Sequence, residues 1–127
     1  CIVISPIVPM TKTDIGFECI AIKDNKEFSN QTVEKYMKDK TKLVSAFHVI
    51  SEKKLVNPTL SLDYDIFVVG DDKNSVETVN SLINEIEGLR PIYLGPCTLA
   101  YLAEMSTPLL LNAMIRNKMK NPGIKLV

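Results

Sequence analysis

"DIFVVGDDKNSVETVNSLINEIEGLRPIYLG", residues 65–95, reads as a strand, a helix and a second strand in immediate succession. "DIFVVG" (65–70), apolar after its opening Asp65 apart from the closing glycine, has the length a buried strand needs. After it, Val76, Val79, Ile83 and Ile86 recur at helical spacing. Asn74 and Glu77 have the form of a capping box, and Gly88 is placed to end the helix. "LRPIYLG" (89–95) then returns as a short strand. Strands that alternate with helices in this way imply a layered α/β sheet, largely parallel, with right-handed crossovers.

The flanking segments extend the same pattern. Downstream, residues 98–118 read as a long helix kinked or interrupted near Pro108, and "GIKLV" (123–127) as a final strand. Upstream, "KLVSAFHVI" (42–50) reads as a strand, and the connection "SEKKLVNPTLSLDY" has room for a helical turn. Residues 29–40 read as a helix that Ser29 or Asn30 caps, with Val33, Tyr36 and Met37 on one face. A loop through Gly16 joins it to "CIVISPIVPM" (1–10), a fully buried strand followed by extended residues, because Pro6 and Pro9 bias the residues before them away from helix. The expected architecture is therefore α/β, a Rossmann-like layered sheet of largely parallel strands with helices, forming one unit over residues 1–127.

The chain of 127 residues, 46% hydrophobic and 24% charged, suits one domain with a real core. Fifteen basic residues cancel 15 acidic ones, so no basic field exists to hold nucleic acid or anionic lipid. Cys1, Cys19 and Cys97 are odd in number and far apart, which indicates neither a disulfide framework nor a zinc site and fits a cytoplasmic location. The sequon Asn30-Gln31-Thr32 stands without a secretory signal and reads as chance. The most apolar stretch, 99–115, contains Glu104 and Pro108 and is shorter than the roughly 20 residues of a membrane span. "CIVIS" at the start looks like a strand met partway through a fold, although removal of an initiator methionine would give the same beginning.

No nucleotide-binding glycine motif, Walker loop or zinc-protease motif is present, and a lone histidine gives no support for triad catalysis. His48 has two readings. It is a core histidine with its hydrogen bonds satisfied, or it contacts a ligand in the crevice beyond a strand's carboxyl end. Asp71 and Asp72 read as a metal-binding pair or as acidic residues favoured at the start of the helix that follows; the second suits their position. Glu104 is either solvated or the partner of a buried polar group. "STPLLLNAM" (106–114) is apolar almost all round, which places it in a core or across a subunit interface.

Taken in order and spacing, "SAFHVI", "VVGDDKNSVETVNSLINEIEGLRPIYLGP", "STPLLLNAM" and "GIKLV" resemble the carboxyl-terminal part of the coenzyme F-420-dependent NADP reductases of methanogens and related archaea. The opening "VISPIVPM" looks like the segment that follows that family's dinucleotide-binding half. The resemblance implies an oxidoreductase that passes a hydride between a reduced deazaflavin and NADP. Such chemistry needs no nucleophile, only two rings held about 3–3.5 Å apart with water excluded. It implies that Val8, Pro9 and Ile50 give apolar surface to the deazaflavin. His48 would hydrogen-bond or pack against the ring, and Pro122 and Gly123 would close near it. No catalytic side chain and no metal ligand is expected.

Two departures stand out. Ser51-Glu52 replaces a small apolar pair, and "CTLAYLAE" lacks the family's Asn and Arg before the glutamate. The amino-terminal dinucleotide-binding half is absent, so NADP is expected only with that half, and residues 1–127 alone are expected to be inactive. The expected partners are small-molecule cofactors and a second copy in a homodimer. A non-catalytic binding or dimerisation module and a relative that uses another electron carrier are the rival readings.

Overall fold

Residues 65–95 do form a strand, a helix and a parallel strand. The computed structural model describes residues 1–50, 62–120 and 122–127. Along the chain run β1 (Val3–Ser5), β2 (Met10–Thr13), β3 (Gly16–Cys19), α1 (Ile20–Lys23), α2 (Ser29–Glu34), β4 (Leu43–Ser45), β5 (Tyr64–Gly70), α3 (Lys73–Asn84), β6 (Leu89–Gly95) and α4 (Ala100–Asn117). The helical turn expected within 51–64 falls largely outside the described residues.

The main sheet has the order β1-β4-β5-β6. β1 and β4 are parallel, as are β5 and β6, whereas β4 and β5 are antiparallel through Val44↔Gly70 and Ser45↔Val69. It is an α/β fold with a mixed, mostly parallel sheet. The single reversal puts the carboxyl ends of β1 and β4 at the end of the sheet where β5 and β6 begin.

β5 is buried on both faces, which explains its unbroken apolar run. Ile66 and Val68 join Val76, Val79 and Ile83 of α3 in one core cluster, while Val69, with Phe67 alongside, packs on Ala100 and Ala103 of α4. Alternation along the strand separates the two sets. Ile83 is fully buried, a contribution of about 1.5–3 kcal/mol from its side chain.

Several local expectations are corrected. Asp72, not an Asn74–Glu77 box, caps α3, its Oδ2 accepting from Ser75 N at 2.9 Å and from Ser75 Oγ at 2.7 Å. The opening segment is not fully buried: Val3 of β1 is 37% exposed, β1 ending the described sheet with β4 as its neighbour on one side, and Ile7, beyond the strand, is 53% exposed. The helix expected over 29–40 stops at Glu34, and Tyr36 is exposed. The strand expected over 42–50 stops at Ser45, and α4 runs unbroken through Pro108. No helix among the described residues is long and apolar enough to cross a membrane.

The loop expected through Gly16 is a two-stranded hairpin, β2 with β3. Asn112 of α4 docks it as a strand would: its Oδ1 accepts from Phe17 N at 2.8 Å and its Nδ2 donates to Phe17 O at 2.7 Å. Asn112→Ala removes both bonds, each contributing about 0.5–1.5 kcal/mol. The Phe17 amide is expected to exchange with solvent roughly tenfold faster in native-state hydrogen exchange. Unchanged protection would mean that packing alone seats the hairpin.

Candidate functional site

The ends of β1 and β4 carry the candidate residues. Ala46 N donates to Ser5 O at 3.2 Å, which carries the ladder one step past β4. Phe47 then takes φ 68, a left-handed conformation rare for a bulky residue. The strand therefore ends there, and His48 and Val49 form a turn.

His48 is 6% exposed, and neither ring nitrogen has a hydrogen-bond partner among the described residues. It is thus buried, as the core reading holds, but among the described residues it lacks the hydrogen bonds that reading requires. Burial pushes its pKa down from 6.5 to about 4, so the imidazole is neutral at pH 7, with one nitrogen a donor and the other an acceptor. Its backbone carbonyl accepts the Thr107 hydroxyl from α4.

The chain's last residues reach the same end of the sheet, but not as the strand expected over 123–127. Asp65 N donates to Ile124 O at 2.7 Å, and Leu126 N donates to the Asp65 carboxylate at 2.6 Å. Arg90 holds that carboxylate through Nε–Oδ1 at 2.7 Å and Nη2–Oδ2 at 2.8 Å, and also donates to Leu126 O. A side chain replaces part of the backbone ladder, so the tail is pinned without strand pairing. The Arg90 guanidinium holds the Asp65 carboxyl below its ordinary range. Gly123 lies so close to Tyr64 that a Cβ there would sit 1.9 Å from the ring.

Ile50 and Ile124 pack with Phe47, Leu62 and Tyr64 against the larger core cluster. Val8 and Pro9 follow β1 at this end, and with Pro122 they are partly buried. Pro9 is fixed by its carbonyl, which accepts from Ile20 N at 2.7 Å. His48, Ile50 and the 122–124 segment thus come to one end of the sheet from distant parts of the chain. Ser51 and Glu52 lie outside the described residues.

Glu104 is fully buried and does partner buried polar groups: Oε1 accepts from Ser29 N at 2.6 Å and Oε2 from Asn30 N at 3.3 Å. It serves the start of α2 from another helix, in place of the local cap expected from Ser29 or Asn30. Burial raises its pKa, and the two N–H donors partly offset this. Asn30 in turn donates to Ser45 Oγ at 2.7 Å. Asp71 accepts from Cys97 N at 2.8 Å, so both members of the Asp71-Asp72 pair serve helix starts. Among the described residues no group of His, Cys, Asp and Glu is gathered as a metal ion would require.

A separate apolar groove of about 560 Å³ runs between α1 and α4, lined by Ile22, Leu102, Met105, Pro108 and Leu109. It touches none of the candidate residues. Sequence reasoning missed Thr107, whose role depends on the tertiary contact, and the Asp65–Arg90 pair. The signal for that pair was a charged residue opening an apolar strand, which needs a partner when buried.

No family model matches the chain. Curated proteins named F420-dependent NADP reductase are similar to it over 86 residues, or 68% of its length. They come from Methanothermobacter thermautotrophicus (35% identical, 37% of that protein covered), Methanothermobacter marburgensis (33%, 38% covered) and Methanocaldococcus jannaschii (35%, 39% covered). The chain therefore spans less than half the length of these relatives. A crystal structure from Arthrobacter sp. FB24, provisionally described as an F420-dependent NADP-reductase, superposes with a TM-score of 0.79 at 18% identity over 99% of this chain and 57% of its own. At that identity the likeness concerns the fold.

Proposed function

We propose, from its relation to F420-dependent NADP reductases, that this chain forms the deazaflavin side of an oxidoreductase that moves a hydride between reduced coenzyme F-420 and NADP. Coenzyme F-420, when bound, supplies the hydride chemistry, and the protein residues position and shield it. The observation that carries the reading is His48, a buried neutral imidazole whose two nitrogens lack partners among the described residues. A buried polar group without a partner is costly, and a ring with hydrogen-bonding edges satisfies it. Val8, Pro9 and Ile50 give apolar surface that excludes water, while Pro122 and Gly123 cover the crevice from the tail. In this reading NADP binds to a separate dinucleotide-binding half, and residues 1–127 alone neither hold it tightly nor turn over. The protein works in the cytoplasm as a homodimer. The dimer is supported by the exposed apolar face of α4, where Leu102 is 46% exposed and Leu109 63%.

The test is a fluorescence titration of coenzyme F-420 into the chain and into His48→Ala, with FMN as competitor and sedimentation to report mass. Saturable binding is expected, weakened roughly tenfold by the substitution, the effect of about one hydrogen bond. A folded chain that does not saturate would overturn the reading. It would then favour a binding or dimerisation module, which the α1–α4 groove supports. Preference for FMN would point to another electron carrier.

A further inference from the structure

We propose that Thr107 is a positioning residue for His48, its hydroxyl holding the His48 carbonyl and so setting where the imidazole stands. The inference rests on the functional reading above and deepens it.

A threonine inside a helix ordinarily turns its hydroxyl back to the carbonyl one turn earlier. In α4 the Ala103 carbonyl is instead taken by the Ser106 hydroxyl, and the Thr107 hydroxyl crosses to His48 O. That bond falls where the backbone most needs outside support. Phe47, at φ 68, has left the strand ladder in a conformation that bulky residues avoid.

The same helix also holds the other end of this short segment. Glu104, one turn before Thr107 and so on the same face of α4, accepts from the first N–H groups of α2. Asn30 of α2 donates to Ser45 Oγ. Residues 45–48 are therefore held at both ends from one face of α4, indirectly at Ser45 and directly at His48. The Thr107 bond ends on a backbone carbonyl, so it acts through the position of the ring and not through the ring's own chemistry.

His48 is the single histidine of the chain, so one imidazole signal in a proton NMR spectrum reports it without assignment. Burial alone sets its depressed pKa among the described residues, which makes the titration midpoint a measure of how the ring is seated. In Thr107→Val the midpoint is expected to rise from about 4 towards the ordinary 6.5, and coenzyme F-420 affinity to fall roughly tenfold. Thr107→Ser is expected to retain both. Should the valine variant not fold, Thr107→Ala against Thr107→Ser makes the same comparison, since both lose the methyl group and differ in the hydroxyl.

A parental midpoint in a folded variant without the hydroxyl would overturn the proposal, even if affinity fell, because the effect would not pass through His48. A raised midpoint together with unchanged F-420 affinity in His48→Ala would uphold the positioning and remove the deazaflavin contact instead. The two failures are thereby distinguishable.

Discussion

Acidifying the protein from pH 7 to pH 4 is expected to remove roughly 3 kcal/mol of unfolding free energy through His48 alone. Its pKa is about 4 in the folded chain against an ordinary 6.5. Between those values the unfolded chain binds the proton more strongly, so stability rises with pH across the window and is lost as pH falls through it. Glu104 acts in the opposite sense. Burial raises its pKa, so its contribution is greatest at low pH and declines as pH climbs above the ordinary value. Asp65 is held low by Arg90. The stability it contributes is lost only below its ordinary value of 3.8, outside the window. Urea denaturation at pH 7, 5.5 and 4, in the parent and in His48→Leu, isolates the histidine term as the difference between the two slopes. The same slope in both, or a folded-state imidazole that titrates near 6.5, would mean that the ring is solvated.

Gly88→Ala is expected to destabilise the fold by about 2–6 kcal/mol, combining left-handed backbone strain with overpacking. Gly88 has φ +88, and a Cβ there would lie 1.7 Å from the Leu62 carbonyl oxygen. The backbone cannot simply retreat, because Gly88 O accepts from Tyr64 N at 2.9 Å and so ties the exit of α3 to the start of β5. Displacement there also disturbs Tyr64, on whose ring Gly123 rests. Gly88→Asn separates the two causes, since asparagine tolerates positive φ but still carries a Cβ. Both variants should lower the urea midpoint if the close approach dominates, whereas a near-parental asparagine variant would assign the cost to strain. An alanine variant within about 0.5 kcal/mol of the parent would behave as a surface change and contradict both.

The unit 65–95 was legible because its signals are short-range and agree with one another. An apolar run suits a strand covered on both faces, and Val76, Val79 and Ile83 do form the buried stripe that their spacing implies, whereas Ile86, expected with them, lies beyond the end of α3 and is 37% exposed. The same local reading misplaced the cap of α3, since Asp72 and Asn74 are both acceptable cap residues, and which is used depends on where the strand releases the chain. It placed Tyr36 on one helix face with Val33 and Met37, although α2 ends before it. It also read the stretch through Gly16 as a loop, because a hairpin of two short, partly polar strands owes its place to Asn112 of a distant helix.

For the candidate site, the sequence by itself determined that an apolar strand leads to a lone histidine, that a strand–helix–strand unit follows, and that no residue pattern for a metal or nucleophile is present. These are properties of composition and spacing, which a chain carries into any fold. Tertiary structure alone decided that β4 and β5 run antiparallel, which brings His48 and the 122–124 segment to one end of the sheet. It decided too that a fully buried Glu104 caps another helix and that Thr107 holds the His48 carbonyl. Each of these depends on groups far apart in sequence meeting where water is excluded, and a buried polar group's partner is set by that packing and not by its neighbours along the chain.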